Sequence, residues 1–270
     1  MQEKKKTLLI FTTSILILMV IVLTASLINF IISKTTYYKI SPRVKNMEKY
    51  SENNKNMPAI GWIRVQGTNI DYPIVYSQTT DVFSEMTEDF TWSITNATKL
   101  VNRVYIFGHN ILNISSNPII ADKNHHRFEQ LPSFMYTDFA KENKYIQYTV
   151  DGKDYLYKIF SVSIVEDYNL YHESVEYSKE DLKKYINQSL SDSFYDYDID
   201  VDENDKIITL ATCTRFFGAT SKYTYKVDAR MVRDNEKITN YSLKENKNYK
   251  VIKDKMNEAK KGEMENVNDL

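Results

Sequence analysis

The 270-residue chain has one cysteine, Cys213, at the end of the apolar run "IITLATC". A free cysteine is most often a small buried apolar residue. Here Thr212 and Thr214 flank it, and the run reads as a strand that ends at the thiol. A thiol at a strand end can meet a substrate, and its thiolate is the reactive form. Four histidines are available to serve it: His109, His125, His126 and His172. His125 and His126 stand in the polar stretch "NKNHHRF" and His172 in "LYHES", both loop-like. His109 follows the β-rich run "VYIFG", whose glycine allows close approach of the main chain. Catalytic pairs are neighbours in the fold rather than in the chain, so a histidine at one strand end can serve a cysteine at another.

Other chemistries find little support. One cysteine allows no internal disulfide framework, and dispersed histidines make no zinc site, so neither metal nor cofactor is expected. A P-loop and a dinucleotide fingerprint are both missing. A formal net charge of -1 gives no case for a nucleic-acid partner.

The elements that must position Cys213 and His109 follow a polar start, "MQEKKK", and a charge-free run from Thr7 to Ile32. About 20 apolar residues suffice to cross a bilayer, and a cleaved signal peptide has a shorter apolar region. The expectation is an uncleaved anchor over residues 7–32, with "TAS" at Thr24 to Ser26 as the competing cleavage site. Residues 1–6, with three lysines, then stay on the cytoplasmic side and the rest lies outside. Residues 33–58 read as a juxtamembrane spacer or helix, 59–233 as the catalytic domain and 234–270 as a polar tail.

Within the domain, "QGTN" separates two strands, and Asp151-Gly152 is a strong hairpin signal. "YSKEDLKKYINQSL" is the best helix. Ser178 caps it, with Asp181 near the box position, and Leu182, Ile186 and Leu190 (with Tyr185) form its apolar face. "SKYTYKVDARMV" is a strand with Lys222, Thr224, Lys226 and Arg230 at period two. Many short strands with few helices predict a mainly β domain, a closed barrel.

Several motifs now coincide with one family. "TLATC" resembles the TLxTC motif of sortases, the membrane-anchored cysteine transpeptidases of Gram-positive bacteria. "YIFGHN" resembles their histidine motif, and "IGWIRVQGTNIDYPIV" their first-strand signature, closest to class B. The long insertion with the Ser178 to Leu190 helix is also similar to class B. The resemblance implies an eight-stranded β-barrel with the site at its edge. It implies that Cys213 attacks a Thr–Gly or Thr–Asn-type bond of a sorting-signal peptide and that His109 moves the protons. The acceptor would be an amine of a peptidoglycan precursor, and the enzyme would sit on the cytoplasmic membrane.

The family's third residue is an arginine on the strand after the cysteine. Its position falls on Thr224, which has a hydroxyl and no charge. Lys222 and Arg215 are the candidate stand-ins, and Arg230 matches a structural arginine at the strand end. The alternative is a degenerate sortase fold acting as a tethered binding or scaffold module. A third reading is another extracellular cysteine peptidase or amidase.

Overall fold

The computed structural model describes residues 2–35, 37–78, 91–110, 128–166, 172–214 and 223–254. The chain divides into two compact units, Met1–Lys39 with Asn235–Asn240, and Ile40–Asp234 with Tyr241–Leu270.

The first unit is built on helix α1, Gln2–Thr35. Its segment Ile10–Ile28 is exposed and is long and apolar enough to cross a membrane.

In the second unit, α2 (Val44–Asn53) precedes eight strands that close into a barrel. They are β1 (Ala59–Val65), β2 (Asp71–Tyr76), β3 (Thr91–Ser93), β4 (Arg103–Phe107), β5 (Tyr145–Val150), β6 (Lys153–Val165), β8 (Ile207–Thr214) and β9 (Tyr223–Met231). Around the barrel the order is β1-β2-β3-β4-β8-β9-β6-β5. The β2–β3 and β4–β8 pairs are parallel and the others antiparallel. Closure removes the exposed strand edges that invite association. A short 3-10 turn (Leu131–Met135) and α3 (Thr137–Glu142) lead into β5. Asp151 and Gly152 both take positive φ, 52° and 69°, as a two-residue hairpin between β5 and β6 requires.

Helix α4, Lys179–Asp192, follows β6. Ser178 Oγ accepts from the Asp181 amide at 3.1 Å, the expected N-cap, worth about 1 kcal/mol. Leu182 and Ile186 are buried against Phe160 and Ile207. Leu190, predicted on the same face, is exposed, and Ser189 is buried in its place. The helix turns the face 182-185-186-189 to the barrel, so position 190 has rotated past the contact.

Beyond the barrel, β7 (Tyr195–Tyr197) pairs with β10 (Leu243–Glu245). The segment that reads as a polar tail therefore supplies a strand, and it buries Leu243, Tyr249 and Ile252 in the main core. Arg230, which the resemblance gives as a structural arginine at the strand end, is 1% exposed and forms an ion pair with the exposed Asp200 at 3.6 Å. Its Nε donates to the Asp200 carbonyl at 2.9 Å and fastens that loop to β9.

Candidate active site

Strands β4, β8 and β9 lie side by side and alternate strictly between two faces. Val104, Ile106, Ile208, Leu210, Tyr225, Val227 and Ala229 enter the main core. The opposite face carries Arg103, Tyr105 and Phe107 from β4, then Thr209, Ala211 and Cys213 from β8. Directly paired residues share a face, so Thr224, Lys226 and Asp228 of β9 join them.

The parallel register matches Phe107 with Ala211. The two chains stay together for two more residues. Gly108 N donates to the Ala211 carbonyl at 3.2 Å, and Thr212 Oγ1 donates to the Gly108 carbonyl at 2.7 Å. His109 thus leaves β4 beside Cys213 on β8, at the same end of neighbouring parallel strands. Asn110 Nδ2 donates to the Cys213 carbonyl at 3.2 Å and closes the loop against the strand. Cys213 and His109 are both half-buried, which suits a pair that must exclude bulk water and still admit a substrate.

Two further residues fix the histidine. A Cβ on Gly108 would lie 2.4 Å from the Phe128 ring, so glycine is required there. The Phe128 amide donates to the His109 carbonyl at 3.1 Å. The imidazole lies against the Trp92 indole, with centroids 4.7 Å apart and planes inclined by 44°. Trp92 is buried on β3 and stacks in turn on Phe107.

Thr224 lies directly opposite Cys213 in the β8–β9 ladder and is buried. It is the position to which the resemblance assigns an arginine. Lys222 and Arg215 lie outside the described residues, as do His125 and His126. His172 stacks on Tyr105, with centroids 4.6 Å apart, away from the strand end that carries Cys213.

Below the Cys213–Thr224 pair sits a group of buried charges. Lys226 pairs with Ala211, and Asp228 with Thr209. The Tyr185 hydroxyl of α4 donates to Asp228 Oδ1 at 2.6 Å and lies 2.8 Å from Thr209 Oγ1, which also bonds Asp228. Arg103 and Lys226 both approach the Tyr185 ring, at 3.9 and 4.8 Å from its centre. Burial opposes the charge of Lys226, but the Tyr185 and Asp228 oxygens outweigh it and hold the ammonium pKa above the usual lysine value. Burial raises the Tyr105 phenol well above its ordinary range. Sequence reasoning left Trp92 and this charged group out of the site. Trp92 lies in a stretch without clear periodicity. The period-two polar residues of β9 look like a solvated face until α4 covers them.

A thiol and an imidazole side by side at one end of two parallel strands have the makings of nucleophilic acyl transfer. The family model described as "Sortase domain" matches residues 63–232, and the chain belongs to the sortase family, class B. It is 22% identical over 189 residues to sortase B of Staphylococcus aureus, which covers 68% of this chain and 72% of the relative. It is 25% identical over 173 residues to sortase B of Listeria monocytogenes, covering 59% and 63% of the two chains. The crystal structure of Clostridium perfringens sortase B is similar at a TM-score of 0.55 and 25% identity, covering 69% of this chain and 99% of that one.

Proposed function

We propose that this chain is a membrane-tethered class B sortase that joins a peptide acyl group to an amine, with Cys213 as nucleophile and His109 as proton carrier. The observation that carries it is the placement of His109 and Cys213 side by side at the ends of parallel β4 and β8. The Cys213 sulfur adds to the carbonyl of the scissile bond of a sorting signal. The C–N bond breaks as the imidazolium gives its proton to the leaving amine, and a thioester remains. The incoming amine then gives a proton to His109 and forms a new amide, and the C–S bond breaks. Two easier acyl transfers replace one difficult step. The apolar segment Ile10–Ile28 would hold the barrel at the outer surface of the membrane, where exported proteins and cell-wall amines meet.

The test is to incubate the protein with candidate sorting peptides and an amine and to follow the ligated product by mass spectrometry. Sortase B of Staphylococcus aureus has been solved with a substrate, and a sortase B has been solved with triglycine. A sorting peptide and triglycine are therefore the first probes. Product that persists undiminished in Cys213→Ala would sink the assignment of the nucleophile. Hydrolysis with no amine-dependent product would point to a peptidase or amidase instead.

Thr224 opposite Cys213 favours a second reading, a sortase fold kept as a tethered binding module of weak or no activity. Covalent capture of Cys213 by a sorting peptide that ends in a thiol-reactive group would count against it.

A further inference from the structure

The face that carries Cys213 holds a cation one pair below the thiol. Lys226 follows Thr224 by two residues on β9, so their side chains share a face, and Cys213 is its diagonal neighbour across the ladder. Diagonal neighbours in such a pair have Cα atoms roughly 7–8 Å apart. Lys226 is 8% exposed and forms no salt bridge among the described residues. Asp228, two residues further along the strand, gives Oδ1 to Tyr185 and Thr209, and its charge attracts the Lys226 ammonium from the side away from Cys213. Arg103, a second cation on the Tyr185 ring, repels it.

A buried ammonium is costly and recurs at functional sites. We propose that Lys226 supplies the positive charge that stabilises the Cys213 thiolate, in place of the arginine that position 224 lacks. The inference rests on the reading of Cys213 as nucleophile. Lys226 is a positioning residue for charge, acting through the thiolate. Its four-carbon stem is flexible, and an ammonium acts as a point charge that needs no planar partner.

The groups that set the thiol's titration can be named element by element. His109 comes from the end of β4, with Tyr105 and Arg103 further along that strand. Thr224, Lys226 and Asp228 come from β9, and Tyr185 from α4. After His109, Lys226 is the member of this group that can carry a positive charge nearest to Cys213 in register. A unit positive charge within about 8 Å of a thiol, in surroundings intermediate between water and a dry interior, shifts it by about one pH unit.

The experiment is iodoacetamide labelling of Cys213 in the whole chain, its rate followed across pH for the wild type, Lys226→Met and Lys226→Arg. The midpoint should rise by about one pH unit in Lys226→Met, with labelling near neutral pH slower by roughly tenfold. Lys226→Arg should stay close to the wild type. A Lys226→Met profile that superimposes on the wild type overturns the proposal. Should Lys226→Met fail to fold, Lys226→Gln removes the same charge and keeps a polar end for the buried site, and the same two outcomes apply. Ligation of sorting peptides is scored separately. Wild-type ligation with an unmoved midpoint overturns the role of Lys226 and leaves the transpeptidase reading in place. A moved midpoint with no ligation supports the role of Lys226 and counts against that reading.

Discussion

Asn110 donates through Nδ2 to the main-chain carbonyl of Cys213 at 3.2 Å, so the loop that carries the histidine is tied to the strand that carries the thiol. The bond spans 103 residues of sequence and acts next to both reacting side chains. Replacing Asn110 by alanine should leave the barrel folded, because one neutral hydrogen bond is worth about 1 kcal/mol. The rate should suffer more. A displacement of ~1 Å between reacting groups costs on the order of 10²-fold. Ligation kinetics should show kcat lower by roughly 10- to 100-fold, with a melting temperature within a few degrees of the wild type. Unchanged kcat would show that the loop is held without this bond.

Trp92 lies against the His109 ring at 4.7 Å. The electron-rich face of an indole favours a cation, by about 0.5–1 kcal/mol in partly exposed settings. Removing it in Trp92→Leu withdraws that support from the imidazolium and leaves neutral imidazole untouched. The proton is then lost at lower pH. If the reactive state is thiolate with imidazolium, the basic limb of the pH–rate profile should move down by roughly 0.4–0.7 pH unit. The acid limb, set by the thiol, should stay. Measuring kcat/KM against pH for both proteins checks this. A basic limb that does not move would mean that the indole packs against the ring without favouring its charge.

How much of this could be read from the chain depends on the residue. The strands β4 and β8 were legible because their apolar runs end in Gly108-His109 and Thr212-Cys213-Thr214, chemistry-bearing residues at element ends. The α4 helix was legible through its cap at Ser178 and its 182-186 spacing. The face of β9 was not. Thr224, Lys226, Asp228 and Arg230 alternate with apolar residues as a solvated strand would, yet all four are buried. What covers Lys226 and Asp228 is Tyr185, from a helix some forty residues earlier in the chain. No local pattern reports such a cover. Trp92 likewise sits on a three-residue strand, too short for any periodicity.

The segment after Asn240 illustrates the same limit and yields a stability prediction. Its composition is polar, but Leu243, Tyr249 and Ile252 are buried, and the Tyr241 hydroxyl donates to the carbonyls of Lys144 and Ile159 at 2.9 and 2.7 Å. Burying one large apolar side chain contributes about 1.5–3 kcal/mol. Ending the chain at Asn240 should therefore cost several kcal/mol. Thermal unfolding should show a melting temperature lower by roughly ten degrees or more. A truncated protein that melts with the full chain would mean that these three side chains pack without contributing stability.

Thr224 is the position at which chemistry can be added rather than removed. It faces Cys213 across the ladder and has only a hydroxyl to offer. An arginine there would bring a planar fork of donors to the side of the reacting carbonyl. Donors aimed at a developing oxyanion are worth on the order of 10²–10³ in rate in well-studied enzymes. Thr224 is buried next to the half-buried thiol and on the same face of the sheet, opposite the main core, so a longer side chain there starts on the thiol's side. Thr224→Arg should therefore raise kcat for peptide ligation by roughly tenfold or more, with a smaller change in KM. A gain of that kind from a weak wild type would mean that the arrangement of Cys213 and His109 is intact and limited by its third group. A variant that folds, labels at Cys213 as fast as the wild type and still ligates no faster would show that charge beside the thiol does not limit this barrel.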